Sequence, residues 1–240
     1  MARLVAEETF RAKRDQAAAD PALRVRAKVL GGQPVWLRPR SYDWAAFDFA
    51  HRGYHLPPDE LAGPVEHVAV FGANIGLLAA DLAARYPDAR LLAVEPDLDN
   101  AALARRNLAR LGERCTLVEA AVWYREEQLA FRWERDAWGQ ILSGSLGQDG
   151  SAGVLRVDAV DAGKLLGTFV GQAPVDYLLI NIETAWYEML RHGEWADNVR
   201  CIKIEIQDHY DEAVPLLQAM GYQAWLQRLN WGAFATGIRL

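Results

Sequence analysis

From residue 65 onward the sequence alternates short apolar, β-rich runs with segments of helical period, and this rhythm restricts the fold more than any other feature. The runs are 65–71 (VEHVAVF), 90–95 (RLLAVE), 115–123 (CTLVEAAVW), 175–183 (VDYLLINIE), 199–206 (VRCIKIEI) and 222–228 (YQAWLQR). Helices are predicted from the turn at 72–76 to about Arg85, and over 97–111, 158–169, 184–192 and 211–220. Strands covered on both faces read as near-continuous apolar runs, and parallel neighbours need a crossover that a helix supplies. The pattern therefore predicts an α/β fold, a mostly parallel sheet with helices on both faces. A tight turn at Asn230-Trp231-Gly232 joins 222–228 to a last strand within 231–240, so the sheet is expected to finish with an antiparallel strand.

Other segments are less regular. Residues 128–133 alternate and suggest an extra strand, whereas 139–153 hold five glycines and three serines and read as a loop, either a lid or an idle connection. Ahead of the main rhythm, 1–22 read as a helical arm, and 24–30 and 34–38 as strands around Gly31-Gly32. A short helix is predicted from Ser41 to His51, with Ser41 or Asp43 as its N-cap. The expected organisation is an N-terminal arm or cap over 1–60 packed on a domain over 61–240, one structural unit overall.

A chain of 240 residues is long enough for one such domain. Its formal net charge of −6, without a dense basic run, argues against nucleic acid as a partner. Cys115 and Cys201 suggest neither a disulfide framework nor a zinc site. The first fifteen residues are charged every few positions, unlike a secretory signal, and no stretch approaches the roughly 20 apolar residues of a membrane span. A cytoplasmic setting without membrane contact is expected.

In open α/β sheets, ligands bind beyond the carboxyl ends of the strands. The first strand of the main rhythm ends at Phe71 and leads into Gly72-Ala73-Asn74-Ile75-Gly76, where glycine permits a tight turn and close backbone approach. The second ends at Glu95, 19 residues after Gly76, where a carboxylate can accept hydrogen bonds from both ribose hydroxyls of a nucleoside. That carboxylate also repels a 2′-phosphate. The G-x-x-x-G spacing differs from the dinucleotide G-x-G-x-x-G, which favours S-adenosylmethionine over a nicotinamide cofactor. The alternative is an ordinary turn with a surface glutamate.

Four stretches in order resemble the FkbM family of S-adenosylmethionine-dependent methyltransferases: VWLRPRSYDWAAFD (35–48), VAVFGANIGLLAADLA (68–83), VEPDLDNAALARRNLA (94–109) and VDYLLINIETAWYEML (175–190). The resemblance covers about residues 33–210. It implies a seven-stranded class I methyltransferase sheet, S-adenosylmethionine as cofactor with S-adenosylhomocysteine as product, and transfer most often to an oxygen of a sugar or natural product. By position, Gly72, Ala73, Asn74 and Gly76 would line the methionine end. Glu95, followed by Pro96, would hold the ribose; Glu119, Ala120 and the residues to Val122 would lie beside the adenine; Asp43 would sit near the mouth, and Asn181 at the fourth strand. The chain departs from the family at Val70, Asn181 and Thr184, where an acid, an Asp and a Gly are usual.

Methyl transfer needs an aligned nucleophile above all, and a base when that nucleophile is a hydroxyl. The candidates for the chemistry are Glu183, Asn181 and His209. Glu183 is expected to share a strand face with Asn181, two residues away. Asn181 can donate and accept hydrogen bonds but cannot act as a base. His209 is of the residue type most often used as a general base, although a surface role is the plainer reading, as a cap or ion pair is for Glu183. Glu205 and Lys203 share a face and suggest an ion pair. Asn181, Glu183, Glu205 and His209 could gather at one sheet edge, but no metal-ligand spacing supports a metal site. Among nine tryptophans, Trp138 and Trp186 are placed to wall a substrate pocket. The leading reading is O-methylation of a small-molecule acceptor; the alternatives are N-methylation, or a degenerate binding protein that keeps the nucleoside site. Exposed aromatics and the arm permit a homodimer.

Overall fold

The structure is a computed structural model that describes residues 26–29, 33–38, 41–135, 141–146 and 154–239. The expected helix over 1–22 and the turn at Gly31-Gly32 lie outside the described residues. The N-terminal strands β1 (Arg26–Val29) and β2 (Gln33–Trp36) form an antiparallel pair, followed by α1 (Asp43–Arg52). Neither expected residue is the cap of α1. Tyr42 occupies that position, and the Ser41 hydroxyl instead accepts the Asp43 N–H at 3.2 Å.

The main unit then runs β3 (His67–Phe71), α2 (Leu77–Arg85), β4 (Arg90–Val94), α3 (Leu98–Leu108) and β5 (Cys115–Val118). Asp97 caps α3 by accepting the Asn100 N–H, and the predicted helix gives way after Leu108 to a tighter 3-10 turn, Ala109–Arg114. After an insertion, the rhythm resumes with α4 (Ala162–Val170), β10 (Val175–Ile180), α5 (Ala185–Arg191), β11 (Val199–Ile206), α6 (Ala213–Ala219), β12 (Gln223–Arg228) and β13 (Ala233–Ile238). Seven strands form the central sheet in the order β12-β13-β11-β10-β3-β4-β5. The expected seven-stranded, mostly parallel sheet with an antiparallel C-terminal strand is present: all pairs are parallel except those of β13. The last strand does not close the sheet at its edge. It inserts between β11 and β12, leaving β12 outermost.

The insertion corrects three expectations. The run 115–123 is not one strand; it breaks at Glu119-Ala120 into β5 and β6 (Ala121–Trp123), which belong to different sheets. β6 joins β7 (Glu127–Arg135), β8 (Ile141–Leu146) and β9 (Val154–Asp161) in a four-stranded sheet of order β6-β9-β7-β8. The Gly/Ser-rich segment therefore contains a strand, because an antiparallel ladder to β7 satisfies its backbone despite poor strand propensity; the rest of 139–153 lies outside the described residues. Residues 158–161 are strand rather than helix. Asp161 instead caps α4, its carboxylate accepting the Lys164 N–H at 2.9 Å.

Strand parity divides the central sheet between two cores. Phe71, Ile180 and Ile204 join one with α4, α5 and α6; Val70, Leu179 and Cys201 join the other with α1, α2 and α3. β3 leads outward through β4 and β5, and the chain returns to place β10 on the other side of β3. The topological switch point therefore lies between β3 and β10, where a crevice opens beyond the carboxyl ends. The N-terminal segment is stapled beside it. The Trp36 N–H donates to Asn107 Oδ1 at 2.6 Å, and Asn107 Nδ2 donates to the Ile75 carbonyl of the glycine turn at 2.7 Å. Arg38 Nη2 donates to Asn100 Oδ1 at 2.7 Å.

Candidate functional site

The glycine turn crosses the switch point. Gly72 has φ +79°, and a Cβ on it would stand 1.8 Å from the Asn181 carbonyl oxygen, so the backbones after β3 and β10 approach in a way that only glycine allows. Asn181 returns the contact, its N–H donating to the Phe71 carbonyl at 2.8 Å. Gly76, with φ +81°, lets the turn pack on Ala104 and Leu108 of α3. Asn74 also lies in the left-handed region, at φ +49°, a conformation asparagine tolerates better than most residues.

Glu95 organises this turn. Its Oε2 accepts the Asn74 N–H at 2.7 Å and its Oε1 accepts the Asp97 N–H at 3.0 Å. The carboxyl group is only 5% exposed, and burial pushes it up to about 7 against the opposing effect of the two backbone donors. The Asn100 side chain adds a third hydrogen bond to this carboxyl group, and a carboxylate offers about four lone-pair sites. Beside Glu95 lies an apolar cleft. Its walls include Gly72, Val94, Pro96, Ala120, Val122 and Ile182, with Leu129 contributed by the inserted sheet. An apolar cleft whose walls include both chain neighbours of a buried carboxylate, Val94 and Pro96, suits an adenine ring joined to a ribose.

The remaining expected ligands are distributed unevenly. Ala73 is buried in the turn. Asp43 is 4% exposed and accepts three bonds from Arg38, from its N–H at 2.7 Å, Nε at 3.1 Å and Nη2 at 2.8 Å, which ties α1 to the segment before it. The Glu119 carboxylate pairs with Arg105, while its neighbour Ala120 forms part of the cleft wall. Val70 is wholly buried in the core.

The candidates for chemistry sit at the ends of β10 and β11. The parity argument for Glu183 does not apply, because β10 ends at Ile180 and Glu183 lies in a turn with φ +50°. His209 also has a left-handed backbone, at φ +48°. Its ring stacks on Tyr187 at 4.3 Å between centroids, and Nδ1 lies 3.1 Å from Glu212 Oε1. Trp186 is fully buried in the core and is not among the residues lining the cleft, and Trp138 lies outside the described residues. The expected Lys203–Glu205 ion pair is replaced: Lys203 Nζ donates to the Leu56 carbonyl at 2.8 Å. Burial and the nearby Glu183 raise Glu205 to about 7. Among the described residues, no group of three or more metal-ligating side chains gathers. No helix among them is long and apolar enough to cross a membrane.

Sequence reasoning passed over Ile182 and Leu129 as cleft walls, and Asn107 as a staple of the glycine turn. Leu129 reaches the cleft only through the inserted sheet, which no local pattern announces. Asn107 follows the acidic motif on α3, and a polar residue on that helix's buried face was the available signal.

No protein-family model matches the chain, and no curated protein sequence does. Among solved structures it is similar to a precorrin-6y C5,15-methyltransferase from Geobacter metallireducens, at 14% identity and a TM-score of 0.44, over 75% of this chain and 82% of that one. It is also similar to a methyltransferase from Pyrococcus furiosus, at 13% identity and a TM-score of 0.44, over 95% and 97%. A third is a ribosomal protein L11 methylase from Lactobacillus delbrueckii subsp. bulgaricus, at 14% identity and a TM-score of 0.40, over 75% and 73%. At these identities and scores the similarity carries no argument about activity, which rests on the site itself.

Proposed function

We propose that the chain is an S-adenosylmethionine-dependent methyltransferase, akin to the FkbM family, acting on a small-molecule acceptor, with oxygen of a sugar or natural product as the receiving atom. The observation that carries this reading is the junction of the left-handed Gly72 turn, the buried Glu95 and the apolar cleft between them. Val94, Pro96, Ala120 and Val122 would flank the adenine, and Glu95 would accept from the ribose. The turn at Gly72, Ala73, Asn74 and Gly76 would face the methionine end together with Asn181. The cofactor, when bound, supplies an electrophilic methyl group on a sulfonium; the chain's residues hold it, exclude water and align the acceptor. Glu183 and His209 remain the proton acceptors put forward from the sequence, and a cytoplasmic protein able to form a homodimer remains the expected setting.

A second reading, a binding protein that has kept the nucleoside site without the chemistry, is favoured by one observation: Val70 packs in the core where a carboxylate would help hold the cofactor's ammonium group. Calorimetric titration with S-adenosylmethionine and S-adenosylhomocysteine, with NAD as control, tests the site. Micromolar binding of the adenosyl ligands alone is expected. Glu95→Ala should weaken it by about 1–3 kcal/mol, the cost of losing a hydrogen-bonded charged acceptor, and an unchanged affinity would reject the ribose role.

A further inference from the structure

Two buried asparagines of α3, Asn100 and Asn107, stand two turns apart on one face of the helix, and both join the N-terminal segment to the adenosyl site. Asn107 links Trp36 of β2 to the glycine turn. Asn100 links Arg38 to the ribose acid: its Oδ1 accepts Arg38 Nη2 at 2.7 Å, and its side chain hydrogen-bonds the Glu95 carboxyl group. The two ends of this amide are not interchangeable. A guanidinium only donates, so the end that faces Arg38 is the oxygen, and Nδ2 is left as the donor towards Glu95. Arg38 is itself held by the buried Asp43, which accepts its N–H, Nε and Nη2. Ser41 closes the turn between them, donating to the Arg38 carbonyl at 2.8 Å and accepting the Asp43 N–H. A line of oriented hydrogen bonds therefore runs from Asp43 through Arg38 and Asn100 to Glu95.

We propose that Arg38 is a positioning residue for the adenosyl ligand: by fixing the Asn100 amide it aims an N–H at Glu95 and keeps that carboxyl group in the ionised form that accepts the ribose hydroxyls. The inference rests on the methyltransferase reading, and it makes the ribose acid depend on the N-terminal segment. Burial holds Glu95 at about 7 despite two backbone donors, so near neutral pH the third donor decides which form prevails. Without Arg38 the amide is free to turn over. Its Oδ1 would then face Glu95, repel the carboxylate and accept from the protonated acid. The charged groups on this side are Asp97 at the start of α3, which opposes the carboxylate, and Arg38 with Asp43 from the N-terminal segment. Asp99 acts on Arg38 in the same sense as Asp43. From the glycine turn Glu95 receives the Asn74 N–H, Glu119 is paired with Arg105, and the cleft wall is apolar.

The test uses the full chain as wild type, Asn100→Ala, Arg38→Met, Arg38→Lys and the double variant Arg38→Met/Asn100→Ala, with thermal unfolding confirming that each folds. S-adenosylhomocysteine is titrated calorimetrically from about pH 5.5 to about pH 9, in two buffers of different ionisation enthalpy, so that affinity and proton release are both read. Wild-type affinity should rise with pH to a plateau above about 7, with a proton released on binding below it. Asn100→Ala should move that rise up by about one pH unit, leaving affinity about tenfold weaker near pH 6 and within about threefold of wild type near pH 9. Arg38→Met should do the same, and the double variant should be no worse than Asn100→Ala, because Arg38 acts through that amide. Arg38→Lys keeps a cation beside Asp43 but lacks the fork that reaches both partners, so it should reproduce the shift in part and reads the role of Arg38 even where Arg38→Met unfolds. Failure of the wild type to bind would sink the methyltransferase reading itself, and this inference with it. Binding by the wild type with an unshifted pH profile in Asn100→Ala, weakening that is equal at every pH, or additive losses in the double variant would overturn the role of Arg38 and leave the cofactor site standing.

Discussion

The two acidic regions at the carboxyl edge are built differently. Glu95, after β4, has one backbone N–H on each oxygen, and those donors belong to the loops that frame the cleft. Glu205, at the end of β11, lies beside a second carboxylate, Glu183, and pairs across the ladder with Phe234 of β13. Both groups are pushed up to about 7, burial being the larger cause in each. The first is immobilised by main-chain donors, as a preorganised binding group needs to be. The second has one side-chain hydrogen bond, with Gln207, and a carboxylate neighbour that opposes its charged form.

The backbone separates the regions further. In the cleft region two of the left-handed positions are Gly72 and Gly76, where the conformation costs little. After β10 and β11, Glu183 and His209 adopt it with side chains present. Such conformations cost of the order of 1–3 kcal/mol each and persist where the surrounding structure imposes them.

Gly72→Ala should break the comparison most completely. The added Cβ would meet the Asn181 carbonyl at 1.8 Å and would force a side chain onto φ +79°. A loss of about 3 kcal/mol or more in unfolding free energy is expected, with S-adenosylhomocysteine binding abolished. A variant with wild-type melting temperature and affinity would show that the two strand ends need not approach so closely.

Glu95→Gln gives the next largest effect and sharpens the contrast with Glu205. A carboxyl group raised from an ordinary 4.5 to about 7 contributes stability that is full below 4.5 and is lost as pH rises through 7. The wild type should therefore lose up to about 3 kcal/mol from this group between pH 4.5 and 8, at 1.36 kcal/mol per pK unit. Glu95→Gln should flatten that slope and match or exceed the wild type at pH 8 while binding the adenosyl ligand more weakly. Denaturant unfolding at pH 5 and pH 8 measures both slopes; identical slopes would mean that Glu95 is not held proton-bearing by burial.

His209→Ala should do least. The ring is exposed, stacks on Tyr187 and bonds Glu212, so its loss should cost about 0.5–1.5 kcal/mol of local interaction. Affinity for S-adenosylhomocysteine should not change. A drop of tenfold or more would place His209 within the binding region rather than beside it.

Legibility in the sequence followed how local each interaction is. The apolar runs of β3, β4, β10 and β11 declare themselves because strands covered on both faces need continuous apolar residues, and β11 matches its expected span of 199–206. Gly72 and Glu95 were legible for a similar reason, as a turn and a strand end fixed by a few neighbouring residues. The inserted sheet was not. β8 is rich in glycine and serine and is a strand only because β7 lies alongside it, and the 115–123 run breaks because its two halves serve different sheets.

By itself, then, the sequence determined the α/β class, the position of the glycine turn, and the acid at the end of the next strand, since each depends on residues close together in the chain. Tertiary structure alone decided that β13 inserts beside β11, which brings Phe234 next to Glu205, and that α1 brings Phe49 against Phe234. Those contacts join residues 49, 205 and 234, and no local period encodes which of many apolar surfaces will meet once the sheet is assembled.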